Sequence, residues 1–528
     1  MDCISVALTH PAEMTVDARL NLLGTRQLLE QEGVMMEVVP AGALDGTEFS
    51  SGDVLVVAEL ECLSDAEEAA IVSAARDLPL IFAGVPRERA SAEFLKLLGI
   101  SRAEHSRDGL LRHLHLRDHD LTKGLGRPHE ARLKLKYVNH LTLGTRIEGR
   151  ELMTIGLADG MPLAPGLVLR DESPRRAVFT FPVGHLFALS TGRHIVRKLD
   201  HEWLDWPVMA YVDVLRVVLR KLLQWSQPTL PLLRPYYWPV SNGVRPSGVL
   251  SLTHDLCGYS QVGVERICEV CAEFNVPTTF FDMPPVRLST GEVGEHCIAL
   301  HVSDTTSQEE IDAGIRSLEE LHGRTILGWR RHGSTSEDSY PGIWHRINAG
   351  GIVWANTWPA QSHANRSTCS PCGTANRLPH DIMDVETGER MDLLELPIFD
   401  TDDADRLGSI GYGMRLTWDE FADTVAKRLD HAAKHGLVAG YLLHGWTAGV
   451  DNESGTRFGA NEAQQMLPHI IREALARGMM VMDGDEMYRW WSFRRACRIE
   501  SSNHQPKLIA PDDGFRAELE IFPAIDAG

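Results

Sequence analysis

Cysteine is scarce in this chain and basic residues are outnumbered. Nine cysteines in 528 residues, an odd count without dense or regular spacing, do not make the framework of a disulfide-stapled secreted scaffold. Reduced thiols or metal ligands are the expectation instead. Only 52 Lys and Arg stand against 73 Asp and Glu, a formal charge of −21. That balance argues against nucleic acid as a partner, because such binding draws on clustered cations that neutralise phosphates. There is no run of about 18 apolar residues able to cross a bilayer. The opening Met1 to His10 lacks the basic start and long apolar stretch of a secretory leader. A cytoplasmic protein without a membrane partner is therefore expected. No low-complexity tract and no repeat of fixed period interrupts the chain.

What is present is ordinary globular composition, 43% hydrophobic and 24% charged, at a length where one core stops growing and a chain divides. The first part alternates short apolar runs with helical patterns: Cys3–Leu8, Met35–Val39, Asp53–Ala58 and Leu80–Gly84 read as strands, and Ser64-Asp65-Ala66-Glu67 as a capped helix start. Alternation of this kind predicts a parallel sheet. Arg176–Phe181 and Leu186–Ser190 read as two further strands, and Trp206–Trp225 as a long amphipathic helix. A proline-rich, aromatic stretch from Gln227 to Pro239 suits a packed linker. The division expected is an α/β domain over 1–239, a second domain over 240–492, and a short β-rich appendage over 493–528.

In the second domain the alternation resumes with candidate strands Gly248–Thr253, Thr278–Phe281, Cys297–His301, Thr325–Trp329, Gly351–Asn356, Leu393–Pro397, Val438–Leu443 and Met479–Met482. Serial alternation over about 250 residues predicts a closed or nearly closed barrel with its chemistry at the C-terminal ends of the strands. The polar residues gather at those ends: Thr253-His254-Asp255, His301, Arg330-Arg331-His332, Glu395 and His444. Imidazoles and a carboxylate converging there can hold a divalent metal, which acidifies a water and polarises a carbonyl. Asp255 can then accept a proton and His444 supply one. Each also has a plainer role: a strand-end His as a core-edge donor, and Asp255 as the cap of the helix starting near Gln261.

Two cysteine pairs have the spacing of half zinc sites. Cys268 and Cys271 fall on the apolar face of a helix, which favours core packing. Cys369 and Cys372 lie in a Ser, Pro and Gly-rich loop, where they can bind metal, form a redox pair, line a substrate cleft or do none of these.

Leu250-Ser251-Leu252-Thr253-His254-Asp255, Ile298-Ala299-Leu300-His301, Gly328-Trp329-Arg330-Arg331-His332, Asp384 to Gly388, Glu395-Leu396-Pro397 and Leu442-Leu443-His444, in that order, resemble the motifs of the polysaccharide deacetylases, the nodulation-deacetylase homology or carbohydrate esterase 4 group. The likeness spans about 245–492. It implies a distorted (β/α)7 barrel, Asp255 as catalytic base, Arg330 beside it, His444 as general acid, and His301 and His332 as metal ligands. Two positions depart from the pattern: Thr305 stands where a second histidine is usual, and Cys257 where a metal-binding aspartate is usual. A thiolate binds zinc well, so a Cys-His-His site is one outcome and a weakened or dead site the other. Glu395, Cys369 and Cys372 are candidate substrate contacts.

The first domain resembles class I glutamine amidotransferase-like domains, with a flavodoxin-like sheet, through its strand pattern and Phe94–Ile100, Leu121 to Leu125 and Gly184–Ser190. The nucleophile is missing, since the strand ending at Gly84 continues Val85-Pro86-Arg87, so a scaffold, dimerisation surface or lid is expected. Taken together, the resemblances imply a metal-dependent hydrolase, zinc first among cofactors, removing an acetyl or similar N-acyl group from an amino sugar or other small amide, with homo-oligomerisation through the first domain. The alternative is a catalytically impaired binding or regulatory protein on the same barrel.

Overall fold

The structure is a computed structural model. It describes residues 3–101, 103–106, 112–125, 132–135, 141–143, 147–156, 161–192, 211–241, 243–257, 260–283, 288, 290–332, 342–357, 376–396, 401–403, 416–445, 460–502, 505–512 and 514–524.

Two sheets organise these residues. The first contains β1 (Ser5–His10), β2 (Met36–Pro40), β3 (Asp53–Val57), β4 (Leu80–Phe82), β5 (Arg112–Leu116), β6 (Arg132–Leu135), β7 (Arg150–Gly156), β8 (Pro162–Arg170) and β9 (Arg176–Phe179), in the order β2-β1-β3-β4-β9-β8-β7-β5-β6. The first five are parallel, and the apolar runs of the inner strands β1, β3 and β4 suit strands covered on both faces. From β9 onward pairing is antiparallel, so the sheet is mixed, where the alternation alone predicted a parallel one.

Leu186–Ser190 is not a strand but part of the helix Val183–Gly192. Its apolar residues are explained by packing on the helix Val16–Glu32: a Cβ at Gly24 would come within 1.9 Å of the Gly184 carbonyl oxygen. That approach is open only to glycine and brings the two helices into tight contact. The start at Ser64 carries a full capping box, with Ser64 accepting from the Glu67 backbone and Glu67 reaching back to Ser64.

The second sheet holds β10 (Val249–Asp255), β11 (Thr279–Asp282), β12 (Cys297–Val302), β13 (Gly328–Arg331), β14 (Trp354–Ala355), β15 (His380–Asp384), β16 (Glu389–Glu395), β17 (Thr401–Asp402), β18 (Val438–Leu442) and β19 (Met480–Val481). Their order is β15-β16-β14-β13-β12-β11-β10-β18-β17, with β19 beside β10. All pairings are parallel except the β15–β16 hairpin. The sheet curls as a half-barrel. Among the described residues its edge strands, β15 and β17, are not paired with each other, so the sheet is curled but open there, where the alternation predicted a closed or nearly closed barrel.

Helices Gln308–His322, Trp418–His435 and Gly484–Ala496 each begin with a capping box and cover the outside with apolar faces. Trp354, on β14, is tightly enclosed. The indole of Trp354 leaves no room for a side chain at Gly328, where a Cβ would lie 1.9 Å away, or at Gly484, where it would lie 2.5 Å away. Its ring nitrogen donates to Asp485 at 2.8 Å.

The hairpin β15–β16 docks on the helix Val16–Glu32. Gln27 donates to the Asp381 carboxylate, Gln31 donates to the Pro379 carbonyl at 3.1 Å, and Met383 joins the hydrophobic core beneath the first sheet. The tail returns to the linker, where Leu519–Phe522 pairs antiparallel with Leu232–Pro235. Among the described residues, no helix is long and apolar enough to cross a membrane.

Candidate metal and acid–base centre

The C-terminal ends of neighbouring parallel strands bring together side chains that are far apart in sequence. Asp255 is the last residue of β10, His301 lies on β12, Arg330 on β13 with His332 just beyond it, and His444 follows β18 by two residues. Register sets His301 directly opposite Arg330. The buried, apolar bodies of these strands dictate that side chains at the open ends are where polar groups can be tolerated.

Cys257, His301 and His332 present ligand atoms that all lie within 4.8 Å of one another. The His301 and His332 rings meet edge to face, 5.0 Å between centroids. Nδ1 of His301 lies 3.1 Å from the Arg330 carbonyl oxygen, so the proton of a neutral ring sits on Nδ1. The other nitrogen, Nε2, is buried without an oxygen or nitrogen partner in hydrogen-bond range, its nearest carboxylate oxygen being that of Asp255 at 3.7 Å. A buried imidazole nitrogen beside a second imidazole and a thiol is a donor set that fits zinc or a similar divalent ion.

Burial would raise the Cys257 thiol, but the imidazoles of His301, His332 and His444 outweigh it and bring its pKa down to about 5. The sulfur is therefore a thiolate at neutral pH, the form that binds metal. Contact with that thiol raises His332 against the opposing effect of burial.

Two further groups flank this cluster with opposite protonation. Burial works against the Asp255 carboxylate, yet the Arg330 guanidinium, followed by His301 and His444, holds it below the usual range. Arg330 donates from Nη1 to Asp255 at 2.8 Å. It is itself fixed by Nε donating to Asn356 at 2.9 Å and by stacking 4.1 Å over the Phe281 ring. Burial pulls the His444 imidazole down, but Asp403, with Cys257 and Asp255, pushes it well above its usual value. One carboxylate kept ionised and one imidazole kept protonated on the same rim make an acid–base pair.

The remaining sequence candidates divide. His254 is a core histidine: it is fully buried, its Nδ1 lies 3.2 Å from the Leu443 carbonyl oxygen, and burial pushes it down to about 3. Asp255 does not cap the following helix, because Ser260 does so by accepting from Gly263. Glu395, a candidate substrate contact in the sequence, is engaged within the protein. It is 0% exposed, and its carboxylate accepts the Thr357 backbone N–H at 2.6 Å and hydroxyl at 2.9 Å. Cys369 and Cys372 lie outside the described residues. Cys271 is buried in the core and pushed up to about 12 by burial, as expected of a packing cysteine, and none of the described cysteines forms a disulfide.

Asp403 and Asn356 escaped the sequence reading. Asp403 belongs to the acidic run Asp400 to Asp405, which reads as a solvated loop. The only signal pointing to it was chemical, since a general-acid histidine requires a carboxylate behind it.

In the first sheet, Gly84 follows β4 by two residues. A Cβ there would be 1.7 Å from the Glu59 carbonyl oxygen, so no side chain fits.

No family model and no curated protein matches the chain. Among solved structures, similarity extends to a protein described as a polysaccharide deacetylase from Mycobacterium smegmatis, at 20% identity and a TM-score of 0.33 over 48% of this chain and 92% of that one. A carbohydrate esterase family 4 pseudoenzyme from Bacillus anthracis aligns at 13% identity and a TM-score of 0.26, over 46% and 66% of the two chains. A family 4 acetyl xylan esterase from Clostridium thermocellum, in complex with a cobalt ion, aligns at 15% and 0.27, over 46% and 90%.

Proposed function

We propose that the chain is a metal-dependent hydrolase that removes an acetyl or similar acyl group from the nitrogen of a small molecule, an amino sugar being the preferred class. The observation that carries this reading is the convergence of Cys257, His301 and His332 between an ionised Asp255 and a protonated His444. A divalent metal bound by the three would supply a Lewis acid for the acyl oxygen and lower the pKa of a water.

The chain's own residues account for the proton movements. Asp255, aimed by Arg330, takes the proton of the attacking water as the carbonyl carbon becomes tetrahedral. His444, held protonated by Asp403, returns a proton to the departing nitrogen as the carbon–nitrogen bond breaks. The products are a carboxylic acid and a free amine, and both residues recover their starting states by proton exchange with solvent. Arg330 is oriented on both sides and fixes the direction of the Asp255 lone pairs.

The first part of the chain, 1–239, serves in this reading as a non-catalytic scaffold and a surface for homo-oligomerisation, beside a catalytic unit over 240–492 and an appendage over 493–528. The site is cytoplasmic in this reading, and the metal is zinc, which the N,N,S donor set favours over harder ions.

The deciding experiment is elemental analysis of the purified protein, comparing the parent with His301→Ala and Cys257→Ala. The reading expects about one zinc or similar ion per parent chain and none in either variant, together with release of acetate from N-acetyl amino sugars by the parent alone. A parent that takes up no ion after reconstitution favours the second reading, a binding protein in which Cys257 marks lost chemistry.

A further inference from the structure

A cavity of about 500 Å³ lies away from this centre, where the helix Val16–Glu32, the β15–β16 hairpin and the end of the helix Gly484–Ala496 meet. Five arginines line it, Arg26, Arg390, Arg494, Arg495 and Arg498, with Glu30 the single lining carboxylate. In a chain of net charge −21 this concentration of cations is out of keeping with the rest of the composition.

The local carboxylates do not neutralise it. Glu30 pairs with Arg26 at 2.6 Å. Asp381, behind the wall, takes Arg495 through two contacts of 2.7 Å and Arg390 at 2.9 Å. Arg494 is buried and donates to the backbone carbonyls of Tyr236, Gln31 and Pro235 at 3.0–3.2 Å; burial and the neighbouring Arg234 push it down to about 10. Arg498 donates to the carbonyls of Arg495 and Cys497 and meets no carboxylate among the described residues. Five guanidinium groups thus face two carboxylates around a partly enclosed space. Its volume is that of a small-metabolite site.

We propose that this cavity binds a phosphate-bearing small molecule. Guanidinium groups present planar paired donors that match phosphate oxygens bidentately, and a partly buried setting protects such contacts from salt screening. Arg26 comes from the amino-terminal part of the chain and Arg390, Arg495 and Arg498 from the carboxy-terminal part, so the ligand ties the two together. The test is calorimetric titration of the full chain with pyrophosphate, inorganic phosphate and citrate in buffered salt.

Pyrophosphate is expected to bind saturably with a Kd below about 1 mM, at least about tenfold more tightly than citrate, and to raise the melting temperature. Arg390→Ala and Arg498→Ala each weaken it by about tenfold or more, while Arg472→Ala, an exposed arginine near Glu273, leaves it unchanged. Arg498→Ala removes only backbone hydrogen bonds, so it keeps the test clean where Arg390→Ala disturbs Asp381; melting curves establish that each variant folds. The proposal is overturned by the absence of saturable pyrophosphate binding, by equal affinity for citrate, or by undiminished binding in a folded Arg498→Ala protein.

Discussion

The imidazole of His444 is held from behind by the carboxylate of Asp403, whose two oxygens both lie 3.1 Å from Nδ1 and one of which also accepts the His444 backbone N–H at 2.9 Å. Asp403 is buried, so this contact is not diluted by water. It presents Nε2 as the donating nitrogen and stabilises the imidazolium, a positioning role distinct from touching the substrate. Asp403→Asn keeps the shape and removes the charge. Deacetylation kcat is expected to fall by about a hundredfold, within the range a misoriented general acid costs, while metal content and KM stay near the parent values. Loss of metal in step with activity would assign Asp403 to the ligand shell instead.

Cys257 decides what kind of metal centre the proposed site would be. With the thiolate coordinated, the cobalt-substituted protein carries a thiolate-to-metal charge-transfer band, and Cys257→Ser and Cys257→Asp lose it. Cys257→Asp still supplies an anionic oxygen and retains an ion, but its preference moves away from zinc and cadmium toward harder ions, following ligand softness. Competition between zinc and manganese measured by elemental analysis checks the direction. An identical spectrum in parent and Cys257→Ser would remove the sulfur from the site.

The second sheet was legible because its signal is redundant. Eight apolar runs form eight of its strands within a few residues of the expected limits, and three imidazoles at or just beyond strand ends share one rim. The edge of the sheet was not legible, since it is formed by the two-residue strand Thr401–Asp402, too short to carry periodicity. Leu186–Ser190 failed for a related reason: four apolar residues in a row fit a strand or a buried helix equally well, and the Gly24–Gly184 contact that selects the helix is a tertiary fact. Asp403 and Asn356 were invisible because each acts on a functional side chain across the sheet, a relation that spacing along the chain does not record.

Glu32 is the centre of a buried ionic cluster near the linker. Arg216 and Arg234 contact it, with Arg234 at 2.5 Å, Arg220 lies at 3.3 Å, and the Tyr237 hydroxyl donates at 2.7 Å. Burial works to raise its pKa, but the arginines prevail and bring it down to about 2. A folded-state pKa below the ordinary 4.5 means that the contribution is full above about pH 4.5 and is lost as pH falls toward 2. Glu32→Gln removes the anion shared by the buried Arg216 and Arg234 and the partly exposed Arg220, leaving Asp213 and Glu520 as the remaining carboxylate partners of the first two, at a cost of about 3–5 kcal/mol at neutral pH. Melting temperatures across pH 2.5–7 are expected to show the parent above the variant at pH 7, with the gap closing on acidification. A gap independent of pH would mean that packing, not charge, accounts for the loss.

Glu59 reverses that sign. It follows β3, is fully buried, and accepts from the Leu63 backbone at 3.3 Å through Oε1, while Oε2 is buried without a hydrogen-bond partner. Burial is the largest influence and outweighs the backbone donors Cys62 and Leu63, raising the carboxyl to about 8 with help from Glu68 and Glu67. A folded-state pKa above the ordinary 4.5 means that the folded chain holds a proton the unfolded chain has released. Stability from this group therefore declines as pH rises from about 4.5 to about 8 and is flat outside that window. Glu59→Gln mimics the protonated form at every pH, keeps an oxygen for the two backbone donors, and removes the decline. The variant is expected to match the parent near pH 4.5 and to melt progressively higher than it toward pH 8, with scanning calorimetry at matched ionic strength as the measurement. A variant that falls below the parent at pH 8 would show that the carboxylate is ionised there and paired, contrary to its apolar surroundings.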